Sequence, residues 1–313
     1  MEYAPVIISV YNRYNHFRAC VESLAACRGA DKTDLFIALD APYRDEDIPA
    51  NLEIFEYAQK IDGFKSVTLF KRPHNIGARA NCYGSIDSVL ELYDRYIYSE
   101  DDNIFAVDFL EYMNTALEFY KKRKEIHAIC GYNYPVIMPE SYNEDVYVWQ
   151  GFSAWGYGTW KERQYSINIE PPYDELKRFL NERRNRKALY RVANHYPRVL
   201  YEIIDTGKYT GDSIVCYHMV KDSKYCVFPA VSRVRNTGHD GSGLHSHQES
   251  SARYRNQQIS DGSQAARFNI DVAPDNEVAK VLREYFYEPN IYPFKRLVKR
   301  VIRTMHRVKS GSV

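Results

Sequence analysis

The first 125 residues alternate between short apolar runs and amphipathic stretches, and each run stops at a polar turn. Pro5 to Val10, Leu35 to Leu39, Val67 to Phe70 and Tyr96 to Ser99 are rich in β-branched and aromatic residues and read as buried strands. Residues 15–28, 50–61, 78–94 and 106–122 read as helices, the first with Phe17, Cys20, Val21, Leu24 and Cys27 on one face. Strands alternating with helices imply βαβ units, and hence an α/β fold with a mainly parallel central sheet flanked by helices. In such sheets the ligand lies beyond the carboxyl ends of the strands. That topology brings three polar turns to one edge: Asn12-Arg13, Asp40, and Glu100-Asp101-Asp102.

The second half is less regular. Val146 to Trp149 and Tyr225 to Pro229 read as strands, 173–206 as charged helix, and 235–268 as polar loop. No repeat or sharp boundary is visible. One domain over 1–250 is expected, then a C-terminal helical extension over 251–313. Hydrophobic residues at 45% and charged residues at 27% permit a packed core. The net charge of +1 exerts no general pull toward nucleic acid. None of the six cysteines forms a CxxC pair, which suggests free thiols in a reducing compartment. No stretch approaches the roughly 18 apolar residues needed to span a bilayer. A cytoplasmic protein, soluble or held peripherally on a membrane, is expected.

Three consecutive acids ending an apolar strand repel one another unless a counter-charge is present. A divalent cation supplies one, because Mg²⁺ and Mn²⁺ commonly bridge one or two carboxylates to a diphosphate. The cluster alone fits equally well a solvated acidic turn before a helix.

Three segments carry a resemblance. Tyr98-Ser99-Glu100-Asp101-Asp102-Asn103, followed by Asp108-Phe109-Leu110-Glu111-Tyr112-Met113, resembles GT-A glycosyltransferases. It is most similar to bacterial family 2-like sugar transferases and to the N-acetylglucosaminyltransferase that initiates complex N-glycans. Pro5-Val6-Ile7-Ile8-Ser9-Val10-Tyr11-Asn12-Arg13 and Arg72-Pro73-His74-Asn75-Ile76-Gly77 are similar to the family's first strand and to the stretch before its third helix. The resemblance covers residues 4 to about 245.

It implies a Rossmann-like GT-A fold over 1–250, with a nucleotide-sugar-binding half (1–125) and an acceptor-binding half (126–250), a UDP-sugar donor, and Mn²⁺ or Mg²⁺. Asp40 is placed to hydrogen-bond the uracil ring. Ser9, Asn12 and Arg13 are placed at base and diphosphate, Arg79 at the diphosphate, Asp101 at the ribose or donor sugar, and Asp102 on the metal. The family's motif is Asp-x-Asp, so the division of labour among Glu100, Asp101 and Asp102 departs from the pattern. In similar inverting enzymes an acid at a helix start in the region of Thr210-Gly211-Asp212-Ser213 is the general base. Asp212 is that candidate, and on its own it also reads as a helix cap. A late loop often adds a histidine to the metal, which points to His245 or His239.

Trp149 to Trp160 contains all three tryptophans. Glycines there allow close backbone approach and aromatic faces suit sugar rings, so Ser153, Trp155, Gly156 and Tyr157 are acceptor-wall candidates, while Trp160 suits a core plug. From 294 to 309 an amphipathic pattern places Lys295, Arg296, Lys299, Arg300, Arg303, Arg307 and Lys309 around an apolar stripe. That helix suits an anionic membrane surface or packing on the protein.

The expected activity is metal-dependent, inverting transfer from a UDP-sugar to a saccharide or lipid-linked saccharide in surface polysaccharide or glycan synthesis. A nucleotidyltransferase would need a Gly-rich basic loop where Tyr11-Asn12-Arg13-Tyr14-Asn15 stands. A non-catalytic saccharide- or membrane-binding protein on the same fold is the third reading.

Overall fold

The computed structural model describes residues 2–241, 254 and 256–287. The first half follows the expected alternation. β1 (Val6–Val10), β2 (Asp34–Leu39), β3 (Ser66–Lys71) and β4 (Arg95–Glu100) alternate with α1 (Tyr14–Ala25), α2 (Ile48–Ala58) and α3 (Ala78–Leu90). After β4 come the short strand β5 (Asn103–Phe105) and α4 (Phe109–Phe119).

The second half is more regular than the sequence suggests. β6 (Ile126–Cys130), β7 (Val146–Trp149) and β8 (Tyr157–Trp160) are followed by α5 (Lys161–Gln164). The charged stretch is three helices, α6 (Tyr173–Asn181), α7 (Arg183–Val192) and α8 (Tyr196–Thr206). Then come α9 (Gly211–Lys221), β9 (Tyr225–Pro229), β10 (Val234–Asn236) and α10 (Asn276–Tyr285). The stretch read as loop from 235 thus begins inside a strand.

Eight strands form one sheet in the order β3-β2-β1-β4-β8-β6-β9-β7. β1 is parallel to β2 and β4, β2 to β3, and β6 to β9; β8 runs antiparallel to β4 and β6, and β7 to β9. Both faces are covered, which is why the strands read as continuous apolar runs. Val6, Ile8, Val10, Leu35, Ile37, Leu39 and Ile97 pack on the α1, α2 and α4 side. Ile7, Phe36, Tyr96 and Tyr98 pack on the α3 and α6–α9 side.

β5 pairs antiparallel with β10, with Asn103 opposite Asn236. This ribbon joins the segment after the three acids to the segment after β9. The described part of the C-terminal extension lies on the same body. Phe268 packs on Tyr112, Phe119 and Tyr120, Ser260 Oγ donates to Asp108 Oδ2 at 2.9 Å, and α10 packs against α7. The basic stretch 294–309 and His245 lie outside the described residues. Among the described residues no helix is long and apolar enough to cross a membrane. All six cysteines are free thiols.

Candidate functional site

The carboxyl ends of β1 and β4 deliver the central charges. Arg13 follows β1, and its guanidinium spans two acids: Nη1 donates to Asp102 Oδ2 at 2.8 Å, Nε to Asp101 Oδ2 at 3.3 Å, and Nη2 to Asp101 Oδ1. The side chains of Asp101 and Asp102 are only 6% and 8% exposed, against 19% for Arg13. Burial works against the Arg13 charge, but Asp101 and Asp102 outweigh it and hold its pKa above the usual value.

One guanidinium does not balance three acids. Burial, helped by Asp102, Asp212 and Asp101, pushes Glu100 up to about 8. Burial pushes Asp101 up to about 6 despite the nearby Arg13. The site therefore holds surplus negative charge at neutral pH.

Asp102 is fixed by the ribbon and the turn after it. Asn236 Nδ2 donates to Asp102 Oδ1 at 2.6 Å. Thr237 N–H and Oγ1 both donate to the Asp102 carbonyl, at 2.8 and 2.9 Å. Gly238 then crosses the carboxylate so closely that a Cβ there would stand 1.9 Å from Asp102 Oδ2. His16 fastens the same turn through Thr237 Oγ1 at 3.2 Å and Asp240 Oδ2 at 2.8 Å. His239 follows, stacked on Tyr254 (ring centroids 4.0 Å apart) and edge-on to Trp155 at 5.4 Å. Both of its ring nitrogens are buried without a hydrogen-bond partner. Burial lowers its pKa, and the Asp102 charge opposes that shift.

Asp212 is the second residue of α9, with Thr210 as the cap residue, so it sits in the first turn rather than at the cap itself. Burial pushes its pKa up to about 6, partly offset by the Ala154 backbone N–H. Its charge is felt by Glu100 and helps to raise that group's pKa. Trp155 bridges the two sides, donating from Nε1 to Glu100 Oε2 at 3.1 Å.

No protein-family model and no curated protein matches the chain. Solved structures do. The chain is similar to the mannosyltransferase PcManGT from Pyrobaculum calidifontis, solved with GDP-Man and Mn²⁺, over 70% of this chain and 69% of that one, at 11% identity and a TM-score of 0.38. It is also similar to S. aureus TarS residues 1–349, over 76% of this chain and 61% of that one, at 10% identity and a TM-score of 0.37. The bifunctional glycosyltransferase WbbM matches over 42% of this chain and 23% of its own length, at 15% identity and a TM-score of 0.29. The chain thus spans less than two thirds of TarS 1–349 and about a quarter of WbbM.

The structure brings Arg13, Glu100, Asp101, Asp102, Trp155 and Asp212 together, and it redirects other expected site residues. Asp40 is buried, but its carboxylate accepts from Ala41 N and Ile76 N at 3.0 Å, Gly77 N at 2.9 Å and Asn75 Nδ2 at 3.2 Å. Four donors saturate a carboxylate, so Asp40 ties down the turn before α3 and has no lone pair left for a uracil ring. Asn12 turns away from the acids to give Asp47 Oδ1 a 2.6 Å hydrogen bond. Ser9 Oγ, opposite Glu100 across the β1–β4 pair, is buried without a partner.

Arg79 does not face the acids either. It pairs with Glu170 Oε1 at 3.1 Å and the Ile169 carbonyl at 2.7 Å, beside Tyr83 and Tyr209. On the acceptor side, Tyr157 is core: its ring packs on Tyr96 and Phe152, and its hydroxyl meets Tyr96 Oη at 2.9 Å. Gly156 serves packing, with φ +72° and no room for a Cβ beside Val234. Ser153 is buried and accepts from Trp155 N at 3.3 Å.

Sequence reasoning missed Asn236, Thr237, Gly238 and His16. The Asn-Thr-Gly turn signal was present, but nothing in it named Asp102 as its target.

The donor set suits a hard divalent cation. The acids carry surplus negative charge, each Asp102 oxygen keeps a free lone pair, and an unpartnered imidazole lies close by. Among the described residues no three His, Cys, Asp or Glu side chains already converge as a ligand shell.

Proposed function

We propose that the chain is an inverting glycosyltransferase that moves a sugar from a UDP-sugar to a saccharide or lipid-linked saccharide acceptor, in the cytoplasm and against the inner face of a membrane. The observation that carries the reading is the surplus of buried acid around Asp102, opposite a separately held carboxylate, Asp212. Asp102 and His239 would hold Mn²⁺ or Mg²⁺. When bound, that ion neutralises charge on the leaving diphosphate.

The chain's own groups divide the rest. Arg13 anchors Asp101 and Asp102 and is the cation nearest an incoming diphosphate. Trp155 and His239 wall the space above Glu100. Asp212, ionised at neutral pH with a pKa of about 6, takes the proton from the acceptor hydroxyl as that oxygen attacks the sugar. A base whose pKa lies just below working pH is both ionised and reasonably basic.

Calorimetric titration of UDP with Mn²⁺, with and without chelator, tests the donor site on wild type and Asp102→Ala. Metal-dependent binding that disappears in the variant is expected. Equal binding in both proteins would remove Asp102 from the donor site.

A further inference from the structure

α7 divides its side chains cleanly between two faces. Asn185, Arg186, Leu189 and Val192 point inward: Leu189 and Val192 are buried, Asn185 Nδ2 donates to the Phe179 carbonyl at 3.1 Å, and Arg186 Nη1 donates to the Leu180 and Asn181 carbonyls. Arg186 is thus used up in capping the end of α6. The opposite face consists of Arg183, Arg184, Lys187, Tyr190 and Arg191, all exposed and none acidic. Arg183, Lys187 and Arg191 recur every four residues and form one stripe, with Tyr190 at its edge just beyond Arg183. Among the described residues, Arg184 alone of this face has an acid partner, Glu182 Oε2 at 2.7 Å, in a pair that is 84% and 50% exposed.

A chain of net charge +1 therefore concentrates four cations on one solvent-facing helix of ten residues. They lie beside Tyr190, an aromatic ring with a polar tip, a side chain favoured at the boundary between water and lipid. Chain connectivity points the same way. α10 packs on α7, and only the eight residues 286–293 separate its end from the basic stretch that starts at 294, a reach of roughly 30 Å. Two cationic segments are thus tethered within reach of each other.

We infer that the outer face of α7 docks on an anionic phospholipid surface. The long side chains lie against the headgroups, and Tyr190 enters the interfacial region. Docking of this kind does not depend on the transfer reaction. If that reaction stands, α7 and α8, which both pack on α9, place the membrane on the side of the molecule that carries Asp212.

The test is co-sedimentation of the full chain with phosphatidylglycerol-containing vesicles and with pure phosphatidylcholine vesicles, at low and high salt. Wild type is expected to bind only the anionic vesicles, and to release them as salt rises. Removing a cation at such a surface lowers partition about fivefold, so Arg183→Gln/Lys187→Gln/Arg191→Gln together should bind roughly 100-fold more weakly. Lys32→Gln/Lys60→Gln/Lys122→Gln removes as many charges elsewhere and should bind like wild type. Unchanged binding by the α7 variant, or no binding of wild type to anionic vesicles, overturns the inference. So does tighter, α7-dependent binding to duplex DNA or RNA, which would mark the face as a nucleic-acid surface.

Discussion

Replacing Gly238 by alanine tests whether the turn after β10 truly clamps the acids. The new Cβ would lie 1.9 Å from Asp102 Oδ2, 2.7 Å from its Cγ and 3.2 Å from Arg13 Nη1. Side-chain carbons do not tolerate the first two separations, so the carboxylate or the turn must retreat by roughly 1 Å. Neither is free to do so. Asn236 holds one Asp102 oxygen at 2.6 Å, Arg13 holds the other at 2.8 Å, and Thr237 is bonded to the Asp102 carbonyl.

Forcing a methyl into a site packed this closely costs about 1–3 kcal/mol. A shift of about 1 Å in a binding group costs about 100-fold in the function it serves. Gly238→Ala should therefore weaken Mn²⁺-dependent UDP binding at least tenfold in calorimetry, and lower the melting temperature by several degrees. Gly84→Ala is the control: its Cβ meets nothing nearer than Arg72 Nη2 at 3.6 Å, and it should bind UDP normally. If Gly238→Ala binds UDP like wild type and melts at the same temperature, the turn does not rest on Asp102 and the clamp on the acids does not exist.

Two further perturbations follow from the charges. The folded Asp212 carboxyl titrates at about 6 against 3.8 for the free group, so the folded state binds more protons between those values and stability falls as pH rises through that window. Asp212→Asn removes this penalty. It should abolish sugar transfer while stabilising the protein by at most about 2–3 kcal/mol above pH 7, with the difference vanishing toward pH 4, as followed by chemical denaturation. Arg13→Met strips the acids of their only direct cation among the described residues, and breaking a buried pair costs about 3–5 kcal/mol. The loss should be larger at pH 8 than at pH 5, where the abandoned carboxyls take up protons; equal losses at both would show that Arg13 acts by packing alone.

The parts legible in the sequence were those fixed by local pattern. The apolar runs around Ile8, Ile37 and Ile97 announced strands because both their faces are buried, and the run around Leu69 did so although its edge strand is only half-buried. The rule that ligands gather at carboxyl ends then placed Arg13 beside the acids. What stayed hidden depended on partners far along the chain. Asn236 meets Asp102 across 134 positions, and the three-residue strand that carries it is too short to show a period. β8 was concealed by Gly156, Gly158 and a run of aromatics that read as an acceptor wall, although Tyr157 is core together with Trp160. Asp40 and Asn12 occupied the right edge, but nothing local revealed that backbone amides and Asp47 had already claimed them.

The strand order has a consequence for dissecting the molecule. β4 contributes one edge to β1 and the other to β8, a strand encoded some sixty residues later. A fragment ending near residue 125 would keep every acid of the cluster. It would also present the whole length of β4, with Tyr96, Ile97 and Tyr98, as an open apolar rim, the kind of edge that recruits other chains. The first 125 residues are therefore no cassette to be lifted out and grafted elsewhere. Recombination that respects this architecture would exchange the helices and turns on its faces and leave the β4–β8 seam within one parent.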